Sequence, residues 1–278
     1  MVSQVTGAFV RGILVMVLLA IPSLMLPGVN SDTTEIVVLI ALFAAALTFF
    51  EYASVYPGLV EFRDAPPFNR LRYLSLLATV LLLSAIVRGQ THPTTLTAFI
   101  EVLGHKLGNA IDIPYSPVRL VVEMLPAGVP EAHVVLIRTA AGISYLISLL
   151  TLVIFVVAMR LIGWPNRMGS FNVWINLPTF DPTTGGDVVD RLTRDSRFNI
   201  ALGFLLPFLL PLTMKLASLS FSPVTLESPH TMIWTMSAWA FLPASLFMRG
   251  IAMGRVAKMI ADKRRTMGQS AEAALQPA

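Results

Sequence analysis

Glu101 and His105 stand four residues apart, so on a helix they share one face. A carboxylate and an imidazole placed that way can ligate a divalent metal or handle a proton. All four histidines (His92, His105, His133, His230) fall in segments that the hydropathy pattern puts on one side of the molecule. Asp112, Glu123, Glu131 and Glu227 fall on that side too. A metal or proton-handling site built from His105, His133, His230 and Glu101 is the chemistry these residues allow. No H-E-x-x-H or comparable spacing accompanies them, so interfacial polar residues are the plainer account.

Three other charges interrupt or border apolar runs: Glu51, Arg138 and Lys215. An ionisable group inside a membrane is costly and marks a functional candidate by default. Glu51 lies near the end of its run, with Tyr52 and Tyr56 beside it and Arg63, Arg70 and Arg72 within reach. Structural pairing is the expected role, and an ion or proton pathway the alternative. Arg138 and Lys215 border runs where a long side chain can snorkel to the interface, pair with a carboxylate or hold an anionic headgroup.

Asp187, Asp190 and Asp195 invite comparison with the N-D-x-x-D-x-x-x-D magnesium-binding row of intramembrane prenyltransferases. The row here is D-V-V-D-R-L-T-R-D, with one residue too many before the last Asp and no preceding Asn. Arg191, Arg194 and Arg197 interleave with it, so local ion pairs account for it. Thr184-Gly185-Gly186 lacks the rest of a phosphate-binding loop and reads as a turn. There is no G-x-S-x-G and no Cys, which removes thiol nucleophiles, Cys-ligated zinc, iron–sulfur clusters and disulfides. No catalytic residue and no cofactor is assigned.

The segments that must position these residues are set by composition. Of 278 residues, 55% are hydrophobic and 13% charged, about half the charge of a soluble domain. Mean hydropathy is +0.72. These values exclude a disordered chain, a nucleic-acid-binding arm and an ordinary soluble globule. The net charge of +4 belongs to basic loops, not to a nucleic-acid partner.

A spanning helix needs about 20 mostly apolar residues. Six segments qualify, at about 8–29, 36–57, 72–90, 130–161, 198–218 and 231–253. The expected fold is an all-α polytopic integral membrane protein, with residues 1–265 as one transmembrane domain and 266–278 as a disordered cytoplasmic tail. The first run is longer than a signal-peptide core and no A-x-A site follows it, so it reads as a retained span. Starting inside, the chain puts fifteen of its twenty Lys and Arg on the cytoplasmic side and leaves Arg88, Lys106, Arg119, Arg138 and Lys215 outside. The positive-inside rule then favours cytoplasmic termini in a bacterial inner membrane.

The segment 89–129 is the largest outer piece. Leu96, Phe99, Ile100, Leu103 and Leu107 make one helical face, with Thr97, Glu101, Gly104, His105 and Gly108 on or near the other. An amphipathic interfacial helix is expected there, followed by a second short helix with Ser116 as cap and Pro117 first. In the inner loop 163–197, Trp164 and Trp174 suit an interfacial belt. Pro207 and Pro211 kink the fifth span, and Gly250 and Gly254 form a G-x-x-x-G near the basic end of the sixth.

Three functions fit. The first is a non-catalytic subunit, assembly factor or scaffold of a larger membrane complex, with the bilayer and other membrane subunits as partners. The second is a small transporter or channel using Glu51 and the kinked fifth span. The third is a membrane enzyme with the outer His/Glu metal site.

Overall fold

The protein is described by a computed structural model, which covers residues 2–28, 31–165, 171–181, 183, 185–218 and 226–275. Nine helices and no strand occur among the described residues. They are α1 (Val2–Met25), α2 (Ser31–Ala53), α3 (Phe68–Thr91), α4 (Thr95–Ile111), α5 (Pro117–Glu123), α6 (Glu131–Ile162), α7 (Val173–Asn176), α8 (Val188–Ala217) and α9 (Pro229–Leu275).

Helices α1, α2, α3, α6, α8 and α9 are each long and apolar enough to cross a membrane. They correspond one for one to the six segments expected from the sequence. In hydrocarbon every backbone N–H and C=O must find a partner within the chain, and a continuous helix achieves that alone. The protein is therefore a multi-pass, all-α membrane protein.

Helices α3, α6 and α9 pack against one another and form the centre. Thr151 on α6 donates to Ser75 on α3 at 2.9 Å, and the rings of Tyr145 and Trp239 pair α6 with α9 at 5.8 Å. α8 lies antiparallel along α9, and α1 leans on α3, where Tyr73 donates to the Leu14 carbonyl. Among the described helices, α2 packs substantially on α1 alone, and it fully buries one residue, Ala41. α1 and α2 approach closely at Gly12, where an added Cβ would lie 2.9 Å from the Ala45 carbonyl oxygen.

α4 and α5 sit at one end of the bundle, with α4 on α6 and α3, and α5 between α6 and α8. We call this the α4 end. The opposite end carries the loop 54–67, the described segments 163–165 and 171–181, and the charged halves of α8 and α9; we call it the basic end.

α4 turns its apolar face outward, as an interfacial helix does. Its apolar residues Leu96, Phe99, Val102 and Leu103 are exposed, while Thr97, Gly104 and Gly108 are buried. The small face is the one that meets protein. A Cβ on Gly142 of α6 would come within 2.5 Å of the Gly108 Cα, so the two backbones touch. Where the surroundings are hydrocarbon, helix contacts select small residues and leave large apolar ones for lipid.

α5 starts as expected. Ser116 Oγ accepts from the Arg119 N–H at 3.0 Å, and Pro117 takes the first helical position. α6 ends on Gly163 at φ +67°, a left-handed cap that any L side chain would strain. Trp164 then turns inward rather than into a headgroup belt: it is buried, 6.0 Å from the Phe62 ring. Trp174 remains exposed. Gly250 and Gly254 do not form a free dimer face. They receive α8, and Ser196 Oγ donates to the Gly250 carbonyl at 2.7 Å. α9 continues to Leu275, so residues 266–275 are helical where a disordered tail was expected from Thr266. Once a helix is nucleated, each added residue gains a bond at little further cost, and no Pro interrupts this stretch.

Candidate functional site

At the α4 end, the close α4–α6 contact carries Glu101, His105 and Lys106 to the rim of a cavity of about 250 Å³ between α3, α4 and α6. Gln90 and Thr139 complete its polar lining, and Ile86, Val102, Val135 and Leu136 its apolar part. Gln90 donates to Glu101 Oε1 at 2.9 Å. Asn109 lies 3.0 Å from His105 Nε2. An amide N–H there makes Nε2 the acceptor, which leaves the proton of a neutral imidazole on Nδ1.

His105 and Glu101 therefore share a pocket, but the other two histidines lie elsewhere. His230, in the first turn of α9, pairs with Ser23 Oγ of α1 at 3.2 Å. His133 occupies the first turn of α6. Among the described residues no three His, Asp or Glu side chains are grouped so as to hold a metal ion. The expected set His105, His133, His230 and Glu101 is not brought together, because α4 supplies Glu101 and His105 while His133 starts α6 and His230 starts α9.

Arg138 is held by a carboxylate. Its Nε lies 2.8 Å from Asp112 Oδ2, and Arg119 Nε lies 2.9 Å from Asp112 Oδ1. The Asp112 side chain is only 6% exposed, so it needs both guanidinium groups to offset its desolvation. This triad binds the end of α4 and the start of α5 to α6. Lys215 faces Glu123 across 3.9 Å, with both side chains about half exposed.

Glu51 ends α2 and turns back onto the loop after it. Its carboxylate accepts from the backbone N–H groups of Gly58, Leu59 and Val60 at 2.9–3.2 Å. Arg63 donates to the carbonyls of Glu51 and Ser54, which α2 itself leaves unpaired. The in-span carboxylate is thus the clasp of a turn.

The densest polar network lies at the basic end. Glu61 accepts from Arg249 Nε at 2.5 Å and Nη2 at 2.8 Å, and from Thr179 Oγ1 at 2.7 Å. Arg249 Nη1 donates to Asn199 Oδ1 at 3.0 Å. Four segments meet there: the α2–α3 loop, the segment after α7, α8 and α9. Arg72 stands close by, its guanidinium over the rings of Phe68 and Phe241. Beneath lies an aromatic core of Phe62, Phe68, Phe155, Trp164 and Phe180. Glu61 and Arg249 were not among the expected site residues. The available signal was that each ends a long apolar run, where a charge must find a partner.

Of the aspartate row, Asp187 caps α8. It accepts from Val189 N–H at 2.7 Å and from Arg264 Nη1 at 2.6 Å. The Arg264 hydrogen bond, then the backbone N–H groups, hold its carboxyl below the usual aspartate range. Asp195 faces Arg194 at 3.7 Å. Asp187 thus caps its helix and bonds across to α9, and the Arg194–Asp195 pair is local. Thr184 of the neighbouring glycine turn lies outside the described residues.

The proline pair in α8 is explained by its neighbour. Pro211 has no N–H, so the Pro207 carbonyl four residues earlier loses its helical donor. The indole N–H of Trp239 supplies that bond at 3.1 Å, in a buried position.

No family model matches the chain, and no curated protein and no solved structure matches it.

Proposed function

We propose that this chain is a non-catalytic membrane subunit, an assembly factor or scaffold that holds other membrane proteins within a larger complex. The observation that carries the reading is α2. It is a helix of spanning length, packed on α1 at the edge of the bundle, with Ala41 alone fully buried and one side exposed along its whole length. Ile36, Leu39, Phe43, Leu47 and Phe50 recur every three or four residues, so their exposed apolar side chains form one stripe along the side facing away from α1. Such a helix offers a partner helix one continuous apolar face along its length.

The charges support the same reading. Glu51 is engaged by a turn, Arg138 by Asp112 and Arg249 by Glu61. Each holds segments of this chain together, which favours a structural over a transporting or catalytic part. By the positive-inside rule the basic end faces the cytoplasm, with both termini there, in a bacterial inner membrane.

The test is the composition of the native particle, extracted gently and weighed by mass spectrometry. Foreign subunits in fixed ratio are expected. Photo-crosslinking from Leu39 or Phe43 should capture them. A particle of this chain alone, uncrosslinked from α2, overturns the reading.

A further inference from the structure

An apolar groove of about 370 Å³ opens at the α4-end half of the bundle, between α5, α8 and α9. Val121 and Met124 of α5, Pro211 and Met214 of α8, and Trp234 and Trp239 of α9 line it. Its volume falls within the range of small-molecule sites. Along α9 it runs from Trp234 to Leu242, about 12 Å at 1.5 Å per residue. One hydrocarbon leaflet is about 15 Å thick, half of a ~30 Å core. The groove therefore lies along the path of a lipid chain and matches its depth in one leaflet.

The charges at its mouth select a headgroup. Lys215 follows the lining residue Met214, and Glu123 lies between the lining residues Val121 and Met124. The ammonium and carboxylate stand 3.9 Å apart, a loose pair with each side chain about half exposed. A zwitterionic headgroup carries the complementary pair: a phosphate for Lys215 and a primary ammonium for Glu123. Hydrogen bonds between charged partners are the strong ones, and both are available here.

We infer that this groove is a specific phospholipid site that takes one diacyl phosphatidylethanolamine. One chain lies against Trp234, Trp239 and Met214, and the headgroup bridges Lys215 and Glu123. Methionine suits such a wall because its unbranched thioether adapts to a flexible chain.

The experiment is native mass spectrometry of the intact protein in detergent with equimolar phosphatidylethanolamine, phosphatidylcholine and phosphatidylglycerol of the same chains. One retained phosphatidylethanolamine per protein is expected. Ala238 is exposed in the groove, so Ala238→Trp fills it without touching the core. That variant should retain about tenfold less lipid, the change that two unburied methylenes produce. Glu123→Gln, on the rim, should shift retention about tenfold from phosphatidylethanolamine toward phosphatidylglycerol. Melting temperature and size-exclusion profile verify the fold of each variant. No lipid retained by folded wild type, equal retention of all three lipids, or retention unchanged by both variants overturns the proposal. If Ala238→Trp does not fold, the wild-type preference and Glu123→Gln decide it.

Discussion

Arg249 on α9 closes a two-bond ion pair on Glu61, with Nε 2.5 Å from Oε2 and Nη2 2.8 Å from Oε1, across 188 residues of sequence. The planar fork of a guanidinium matches the two oxygens of a carboxylate. Because Thr179 and Asn199 bond to the same pair, the contact fastens two loops and two helices at the basic end. Its side chains are mostly withdrawn from water, 13% and 27% exposed, so an orphaned partner is expensive.

Glu61→Gln and Arg249→Met should each destabilise the fold by about 1.5–3 kcal/mol, the worth of hydrogen bonds to a charged group. Arg249→Lys should recover only part, since an ammonium cannot make the fork. Thermal melting of the purified variants, combined in a double-mutant cycle, checks this. Additive losses would show that the pair does not act as a unit.

Glu51 separates a structural role from a transporting one. Glu51→Ala removes the oxygen that accepts from the N–H groups of Gly58, Leu59 and Val60, a role that the amide oxygen of Glu51→Gln would still fill. The expected result is a looser turn, seen as faster hydrogen exchange at 58–60, and a lower melting temperature. Unchanged exchange and melting, with loss of an ion flux measured in liposomes, would instead assign Glu51 to a pathway.

The bond from Trp239 to the Pro207 carbonyl exists because Pro211 lacks a donor. Trp239→Phe should cost about 0.5–1.5 kcal/mol beyond its packing loss. Pro211→Ala returns an N–H to that carbonyl, so the double variant should recover this portion. A double variant no more stable than Trp239→Phe would refute the account.

Asp187 gives a pH dependence. Its carboxyl is held below the usual aspartate range by Arg264 and the first amides of α8, so the ionised form stabilises the folded state. The contribution is present above the unfolded-state pKa and is lost as pH falls through the folded-state pKa. Protection from hydrogen exchange in the first turn of α8, taken relative to the intrinsic rate at each pH, should fall across that acidic window. In Asp187→Ala the protection should be low already and flat with pH. A wild-type profile as flat as the variant's would remove Asp187 as the cap.

Much of the frame was legible locally. The cap Ser116 with Pro117 after it, and the end of the fourth span just before Gly163, are decided by a residue and its immediate neighbours. The apolar face of α4 was legible in the spacing of Leu96, Phe99 and Leu103, and it stays open as an interfacial helix requires. That its small face would seat on Gly142 of α6 was not legible. Likewise Trp164 has the composition of an interfacial residue, and only the arrival of Phe62 and Phe171 beside it makes it core.

The candidate sites divide the same way. Four-residue spacing was enough to put Glu101 and His105 at one cavity, since a helix fixes that neighbourhood by itself. It could not bring His133 or His230 to them, nor foresee that Arg138 would find Asp112 or Arg249 find Glu61.

The sequence by itself determined that this is an all-α, multi-pass membrane protein with six segments of spanning length. Apolar length and internal backbone bonding are properties of each segment alone. Only the tertiary structure decided which charges are neutralised, which glycines become contacts and which helix, α2, is left at the edge. Those outcomes depend on helix rotation and on depth in the bundle. In hydrocarbon these are set by close packing and by pairing of the few polar groups, between residues that the sequence separates by up to 188 positions.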